Sequence, residues 1–317
     1  MAFHGFDFLP HGTRWPFIKF RFISLVVSGI LMLASIGLFA AQGLNYGIDF
    51  KGGTIIEIRN KDGAADLGDL RSKLGGLGLG DVQVQQFGAP SDVLIRAELQ
   101  EGGEKAQQVV VNKIKAALGD GVDYRRTEVV GPTVSTELKR DGAIAVITAL
   151  VAVLLYIWFR FEWQFSLGAI AALVHDITLT IGIFSLLGLE FNLSIIAALL
   201  TIVGYSLNDT VVVYDRIREN LRKFKKMPLD ELLDVSINET LSRTILTSMT
   251  TLLALLSLYV FGTEVIRGFT FAMIWGVIVG TYSSIFIAAP ILLILGVRRD
   301  WSGISGAKPK EPAPSSA

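Results

Sequence analysis

LSIIAALLTIVGYSLNDTVVVYDRIREN occupies residues 193–220, and its reading decides the architecture. The first part is almost wholly apolar. Asn208 and Asp209 interrupt it, and Asp215, Arg216, Arg218 and Glu219 follow. A membrane-spanning helix needs about 20 mostly apolar residues, and 192–213 supplies them. An ionised carboxylate is costly in hydrocarbon, so one placed there marks a functional site unless a simpler reason is found. At about 1.5 Å of rise per residue, Asp209 lies roughly 10 Å inside the charged boundary at Arg216.

Five further stretches have the same character: 20–41, 141–160, 165–187, 244–262 and 269–295. The chain is 51% hydrophobic and only 18% charged, where a soluble domain carries roughly 25% charged residues. The expected fold is therefore a polytopic α-helical membrane protein with six transmembrane helices. The first block reads as a retained helix. Its apolar part exceeds the core of a cleavable signal, and GLNYGIDFKGG offers no small-residue cleavage site.

Basic residues set the expected orientation. Arg14, Lys19 and Arg21 precede the first span, and Arg160 follows the second. Arg216, Arg218, Arg222, Lys223, Lys225 and Lys226 follow the fourth, and Arg298 and Arg299 follow the sixth. The short connections near 188–191 and 262–268 carry Arg267 alone. The positive-inside rule then places both termini (1–19, and a disordered tail at 296–317) and a basic loop at 214–243 in the cytoplasm. It places 42–140 outside, in the periplasm if the membrane is a bacterial inner membrane.

That segment reads as strand (TIIEIRN, 54–60), helix (64–76), two alternating strands around Gly88-Ala89-Pro90, a helix ending at glycine, and a last strand VDYRRTEVV. The order βαββαβ is the ferredoxin-like split motif. A small α+β periplasmic domain is expected between the first two helices, and its fold alone implies no chemistry.

Several functions are excluded. With no cysteine there is no disulfide, thiol catalysis or Cys-based zinc site. His4, His11 and His175 form no ligand spacing. LGGLGLGD (74–81) lacks both the GxGxxG register and a GxxxxGK[ST] run, so it reads as a helix-to-strand turn. No cofactor, nucleic-acid partner or enzymatic activity is expected, and energy would come from a partner or an ion gradient.

The polar groups inside the spans are the candidate residues. His175 and Asp176 lie near the middle of the third span, and Asn208 and Asp209 lie in the fourth. Arg243 opens the fifth, followed by Thr247, Thr250 and Thr251. For Asp176 the simpler reading is a protonated acid bonded to a neighbouring helix, and for His175 a packing role. Arg243 could snorkel to the headgroups, although the threonines beside it suggest a polar seam. If Asp209 and Arg243 met between helices four and five, protonating the carboxylate would release the guanidinium and let the helices move. Gly276 and Gly280 form a small-xxx-small pair in helix six that marks close packing. The segment RIRENLRKFKK is a solvated face that also meets anionic lipid.

At these residues the sequence resembles the SecF branch of the bacterial SecD–SecF protein-export family, within the resistance–nodulation–division superfamily. The matching stretches are GIDFKGGT (47–54), VGPTVSTELKRDGAIA (130–145), VHDI (174–177), residues 193–220 and LSRTILTSMTTLLALLSLYVFG (241–262). The resemblance implies an accessory subunit that uses the proton motive force to promote precursor export. It implies three protein partners: a SecD-like six-helix subunit, the Sec translocon channel and the translocating precursor. Protons are the coupling ion. The implied proton-path carboxylate is Asp209, its basic partner is Arg243, and Asp176 is a further proton-coupling position. Asn208, His175 and Thr247 are supporting polar residues. Three other readings stand beside it: half of a small-molecule or lipid exporter on the same scaffold, an aspartyl protease using Asp176 and Asp209, and a purely structural assembly factor. The first would need a larger external region. The second lacks the GxGD pattern, since the sequence at 204–210 is GYSLNDT. The third would leave Asp209 replaceable.

Overall fold

The computed structural model describes residues 14–297. Most of the expected N-terminal segment and tail, with His4 and His11, therefore lies outside the described residues. Helix α1 (Arg21–Gln42) leaves a short 3-10 turn at Ile18–Phe20. After it come β1 (Asn45–Tyr46) and the single-turn helix α2 (Ile48–Lys51). The small domain then runs β2 (Gly53–Asn60), α3 (Leu67–Gly75), β3 (Val82–Gln86), β4 (Asp92–Ala97), α4 (Gly103–Leu118) and β5 (Val122–Val130). Its antiparallel sheet has the order β3-β4-β2-β5, the ferredoxin-like arrangement. Alternation along β2 explains the packing. Ile56 and Ile58 point into a core with Val93, Ile95, Leu74, Val110 and Ile114. Ile55 faces the other way, onto Ile48 and Leu94.

The membrane half contains α5 (Pro132–Arg160), α6 (Trp163–Leu187), β6 (Glu190–Phe191), α7 (Leu193–Lys223), α8 (Leu229–Phe261) and α9 (Glu264–Ser283). A π turn at Ser284–Ala288 joins α9 to α10 (Ala289–Leu295). Among the described residues six helices are long and apolar enough to cross a membrane. Helices α6, α7 and α9 form the inside of the bundle, with α1, α5 and α8 around them.

Two expected boundaries move. Helix α5 starts at Pro132 rather than at 141, because a proline at the first helical position loses no hydrogen bond and has its φ already set. The expected basic loop at 214–243 is helical except for residues 224–228. Helices α7 and α8 continue past the apolar blocks and pack as a hairpin through Ile217 and Leu221 against Leu232, Leu233 and Ile237. Asn220 crosses the hairpin, donating to Ser236 Oγ at 3.0 Å and to Glu239 Oε2 at 2.7 Å. Dense surface charge masked this thin apolar stripe.

The glycines of α9 are where the inner helices touch. A methyl group at Gly276 would sit 2.3 Å from Ile202 of α7, and one at Gly280 would sit 3.1 Å from Ser206. Further along, Pro290 has no N–H to give to the carbonyl of Phe286. The hydroxyl of Ser24 on α1 donates to that carbonyl at 3.2 Å, and Tyr214 donates to the carbonyl of Ala288 at 3.2 Å.

The α+β domain is tied to the N-terminus of α7. Strand β1 pairs in parallel with β6, Asn45 with Glu190 and Tyr46 with Phe191. The backbone N–H of Leu193 donates to Asp49 Oδ2 at 2.8 Å, and Glu190 ion-pairs with Arg96 of β4. Gly52 and Gly53 turn the chain from α2 into β2 with φ of 74° and 124°. A Cβ at Gly53 would lie 2.6 Å from the carbonyl oxygen of Ala97, so the position needs glycine on both counts.

Gly276→Ala is expected to destabilise the bundle by about 1–3 kcal/mol through overpacking, and the double variant with Ile202→Ala should lose less than the sum of the two single changes. Thermal unfolding of the detergent-solubilised chain checks it. A fully tolerated Gly276→Ala would mean that α7 and α9 do not approach at this point.

Candidate functional site: two carboxylates in a hydroxyl seam

Asp209 and Asp176 are both buried, at 8% and 1% exposure, on neighbouring inner helices. Each is held by hydroxyl groups. Thr244 of α8 donates to Asp209 Oδ1 at 2.6 Å, and Ser284 donates to Asp209 Oδ2. Ser206 of α7 and Ser283 of α9 donate to Asp176 Oδ2 at 2.6 and 2.8 Å. Asp176 Oδ1 lies 2.9 Å from Nδ1 of His175. Consecutive serines, at the junction of α9 with the π turn, thus reach two different carboxylates.

Each serine also has a second acceptor on its own helix. Ser283 Oγ lies 3.1 Å from the carbonyl of Gly280, and Ser284 Oγ lies 3.0 Å from that of Thr281. A hydroxyl can donate to a carboxylate, or accept from a carboxylic acid while donating to its own backbone. Both protonation states of the acids can therefore be satisfied by turning a hydroxyl, with no helix movement. One turn away on the same helices, Tyr205 donates to Ser248 at 3.3 Å, and Ser248 is 2.7 Å from Thr281.

His175 is 1% exposed and stacks on Tyr282, with ring centroids 5.9 Å apart. Tyr282 Oη lies 3.1 Å from the hydroxyl of Ser28 on α1. The Nε2 atom of His175 is buried without a hydrogen-bond partner.

The remaining candidates lie elsewhere. Arg243 is exposed and does not contact Asp209, and its charge acts on that carboxylate only through space. The expected direct ion pair is replaced by Thr244, one residue further on. Asn208 is exposed and contacts neither carboxylate. Thr247 is also exposed, and its hydroxyl donates to the carbonyls of Arg243 and Thr244. Asn208 and Arg243 nevertheless share one flank of the α7–α8 seam. Stepping back one residue from the touching pair Asp209/Thr244 turns about 100° to the same side in two antiparallel helices.

Sequence reasoning missed Ser206, Thr244, Ser283 and Ser284. The run Thr281-Tyr282-Ser283-Ser284, four hydroxyl residues inside an apolar helix, was the available signal.

The comparisons agree with this arrangement of spans and domain. The family model for the C-terminal part of the protein export membrane protein SecD/SecF matches residues 110–298, and the SecD/SecF GG motif matches residues 37–59. The chain belongs to the SecD/SecF protein export family. It is 46% identical over 315 residues to the protein translocase subunit SecF of Rhodobacter capsulatus, covering 95% of this chain and 94% of that one. It is 45% identical to the protein translocase subunit SecDF of Brucella abortus, over 92% of this chain but only 38% of the relative. The crystal structure of SecDF from Thermus thermophilus superposes with a TM-score of 0.80 at 37% identity, covering 90% of this chain and 39% of that one. The chain therefore spans about two-fifths of the SecDF proteins and nearly the whole of the SecF relative. In this chain the match to the glycine motif, residues 37–59, includes the turn that ties the α+β domain to α7.

Thr244→Val removes one of the two hydroxyls on Asp209 while keeping side-chain volume. A loss of about 0.6 kcal/mol, with an upper bound of about 1.7, is expected for a hydrogen bond between membrane helices. Denaturant titration in mixed micelles measures it, and the seam described above predicts that Thr247→Val leaves stability unchanged.

Proposed function

We propose that the chain acts in protein export as the SecF-type subunit of a translocase, coupling proton movement to the release of precursor proteins. A role in protein export as a multi-pass membrane protein follows from family membership. The proton coupling rests on one observation. Two buried carboxylates are joined through adjacent serines whose hydroxyls serve either protonation state. Asp209 is the primary proton carrier, and the Asp176–His175 pair is the second. Arg243 supplies a nearby positive charge that is not locked to Asp209 in a contact pair. Ionised, the carboxylate attracts Arg243 toward the seam. Neutral, it releases it, and the balance between two helix arrangements shifts by that difference.

The partners follow the same reasoning. Asn208, Arg243 and Thr247 are polar and exposed on one flank of α7 and α8, where lipid would gain nothing from them. A second six-helix subunit of the SecD type covers that flank. The Sec channel and the translocating precursor complete the assembly. The bias of basic residues supports an orientation with both termini cytoplasmic and the α+β domain on the opposite side, which is the periplasm for a bacterial inner membrane. Protons are the only coupling species invoked.

Asp209→Asn, Asp176→Asn and Arg243→Met are expected to assemble with the partner yet lose the gradient-dependent part of export. The measurement is transport of a secreted precursor in inner-membrane vesicles carrying an imposed proton gradient. Undiminished export in Asp209→Asn would leave the chain a structural subunit only.

A further inference from the structure

Between the α+β domain and the bundle lies a cleft of about 580 Å³. Helices α3 and α4 pack on one face of the sheet through Leu70, Leu74, Val110 and Ile114, and the cleft opens under the other face. The sheet supplies its roof, and the α6–α7 connection with the start of α9 supplies its floor. Phe87 joins Ile55 and Leu94 in a small apolar patch on the roof. Leu187 and Val265 line the cleft from the bundle side while still 53% and 43% exposed.

The charge in the cleft does not balance. Five carboxylates but only two arginines line it. Both arginines are engaged from within, Arg126 by Glu128 and Arg267 by Glu264, with the Tyr259 ring 5.7 Å from the second. Glu190 is held by Arg96, which stands behind the lining. Two acids remain. Asp49 Oδ2 accepts the N–H of Leu193, and its other oxygen has no partner among the described residues. Glu57 stands opposite Arg126 in the β2–β5 ladder, yet it makes no hydrogen bond or ion pair among the described residues. Arg59 acts on Glu57 through space, but its guanidinium is bonded twice to Asp92. The amide of Gln85 is exposed and likewise has no hydrogen-bond partner among the described residues.

This combination selects a class of ligand. A surplus of carboxylates repels phosphate groups, which sets aside anionic headgroups and nucleic acid. Apolar side chains, a free amide and unengaged acids suit a polypeptide with apolar and basic residues, whose backbone N–H groups need acceptors. The volume falls in the range of small-ligand pockets, about 300–1,000 Å³. A few residues of extended chain fit it, and a folded domain does not.

We propose that this cleft holds an extended segment of the translocating precursor. Apolar side chains of the segment seat on Ile55, Leu94 and Phe87, and a lysine or arginine meets Glu57 and Asp49. The inference rests on the export reading above and adds to it the place where the substrate is held.

The test is photocross-linking in inner-membrane vesicles with no gradient imposed. A secretory precursor is arrested by a folded C-terminal domain, with a stretch of alternating leucine and lysine, or leucine and glutamate, just beyond the channel. The full chain carries p-benzoylphenylalanine in place of Gln85 or, on the exposed surface of α4, in place of Gln108. Position 85 is expected to cross-link the precursor and position 108 is not. The lysine stretch should react about threefold more than the glutamate stretch, as for a half-exposed ion pair. Glu57→Lys should reverse that preference, and Asp62→Lys, exposed and outside the cleft, should leave it unchanged. If Glu57→Lys does not fold, Glu57→Gln should abolish most of the preference. Equal yields at 85 and 108, equal yields for the two stretches, or equal effects of the two charge reversals overturn the proposal. So does cross-linking of position 85 to another membrane subunit in place of the precursor, which would make the cleft a seam between subunits. Asp209→Asn should leave these yields unchanged. Full export in that variant would sink the coupling reading alone, and a missing cross-link with export still gradient-dependent would sink only the cleft.

Discussion

The structure depends on how two carboxylic acids are kept inside a bundle that would exclude them as bare anions. Burying an unpaired charge is far more costly than burying a hydrogen-bonded polar group. The chain provides each acid with two hydroxyl donors, from α7 and α9 for Asp176 and from α8 and the π turn for Asp209, and no guanidinium or ammonium contacts either among the described residues. A contact ion pair would stabilise one charge state only. Hydroxyls stabilise two, because each can exchange roles between donor and acceptor. Among the described residues no guanidinium contacts Asp209, which suits the proposed role of that carboxylate as a proton carrier.

That arrangement requires the serines to be placed accurately, and the π turn places them. Ser283 ends regular α9 and Ser284 begins the wider turn. Along a regular helix consecutive side chains diverge by about 100°, which lets one serine face α6 and the next face α7. The π turn is sustained by Pro290 downstream, which breaks the regular ladder, and by Ser24 and Tyr214, which occupy carbonyls nearby. Such single-turn widenings collect at functional sites because they re-aim side chains at small cost. The close approach at Gly276 and Gly280 brings α7 near enough for Ser206 to reach Asp176.

Much of this was legible in the sequence, and the gaps have physical causes. Six apolar blocks and alternating strands gave the spans and the βαββαβ order, because burial imposes periods that composition preserves. Asp176 and Asp209 stood out as residues costly in their setting, Gly276 and Gly280 as a close-packing pair, and GIDFKGG through the family resemblance. The helical hairpin at 214–243 did not stand out, since its stripe of Ile217, Leu221, Leu233 and Ile237 is diluted by surface charge. The serines and Thr244 were invisible for a different reason. Hydroxyl residues sit comfortably in membrane helices by bonding to their own backbone, as Thr247, Thr250 and Thr251 do here, so sequence alone cannot tell a self-satisfied hydroxyl from one that holds an acid. Only helix facing separates Thr244 from Thr247.

The position of the α+β domain gives the seam a mechanical context. Asp49, in the turn that GIDFKGG forms, accepts from the first backbone N–H of α7, and β1–β6 pairing binds the same turn to the α6–α7 connection. Both carboxylate-bearing helices thus meet the domain at one end and carry their acids within the span. A helix is stiff along its axis, so a shift of α6 against α7 at the carboxylates would appear at that connection, where two ladder pairs, one cap and the Glu190–Arg96 ion pair hold the domain. The glycines at 52 and 53 limit how the turn can answer. Their positive φ, and at Gly53 the 2.6 Å approach to Ala97, leave no room for side chains, and Gly53 is already paired in β2. Displacement would be passed into the sheet through β2, its second-from-edge strand, and would not be absorbed in a loop.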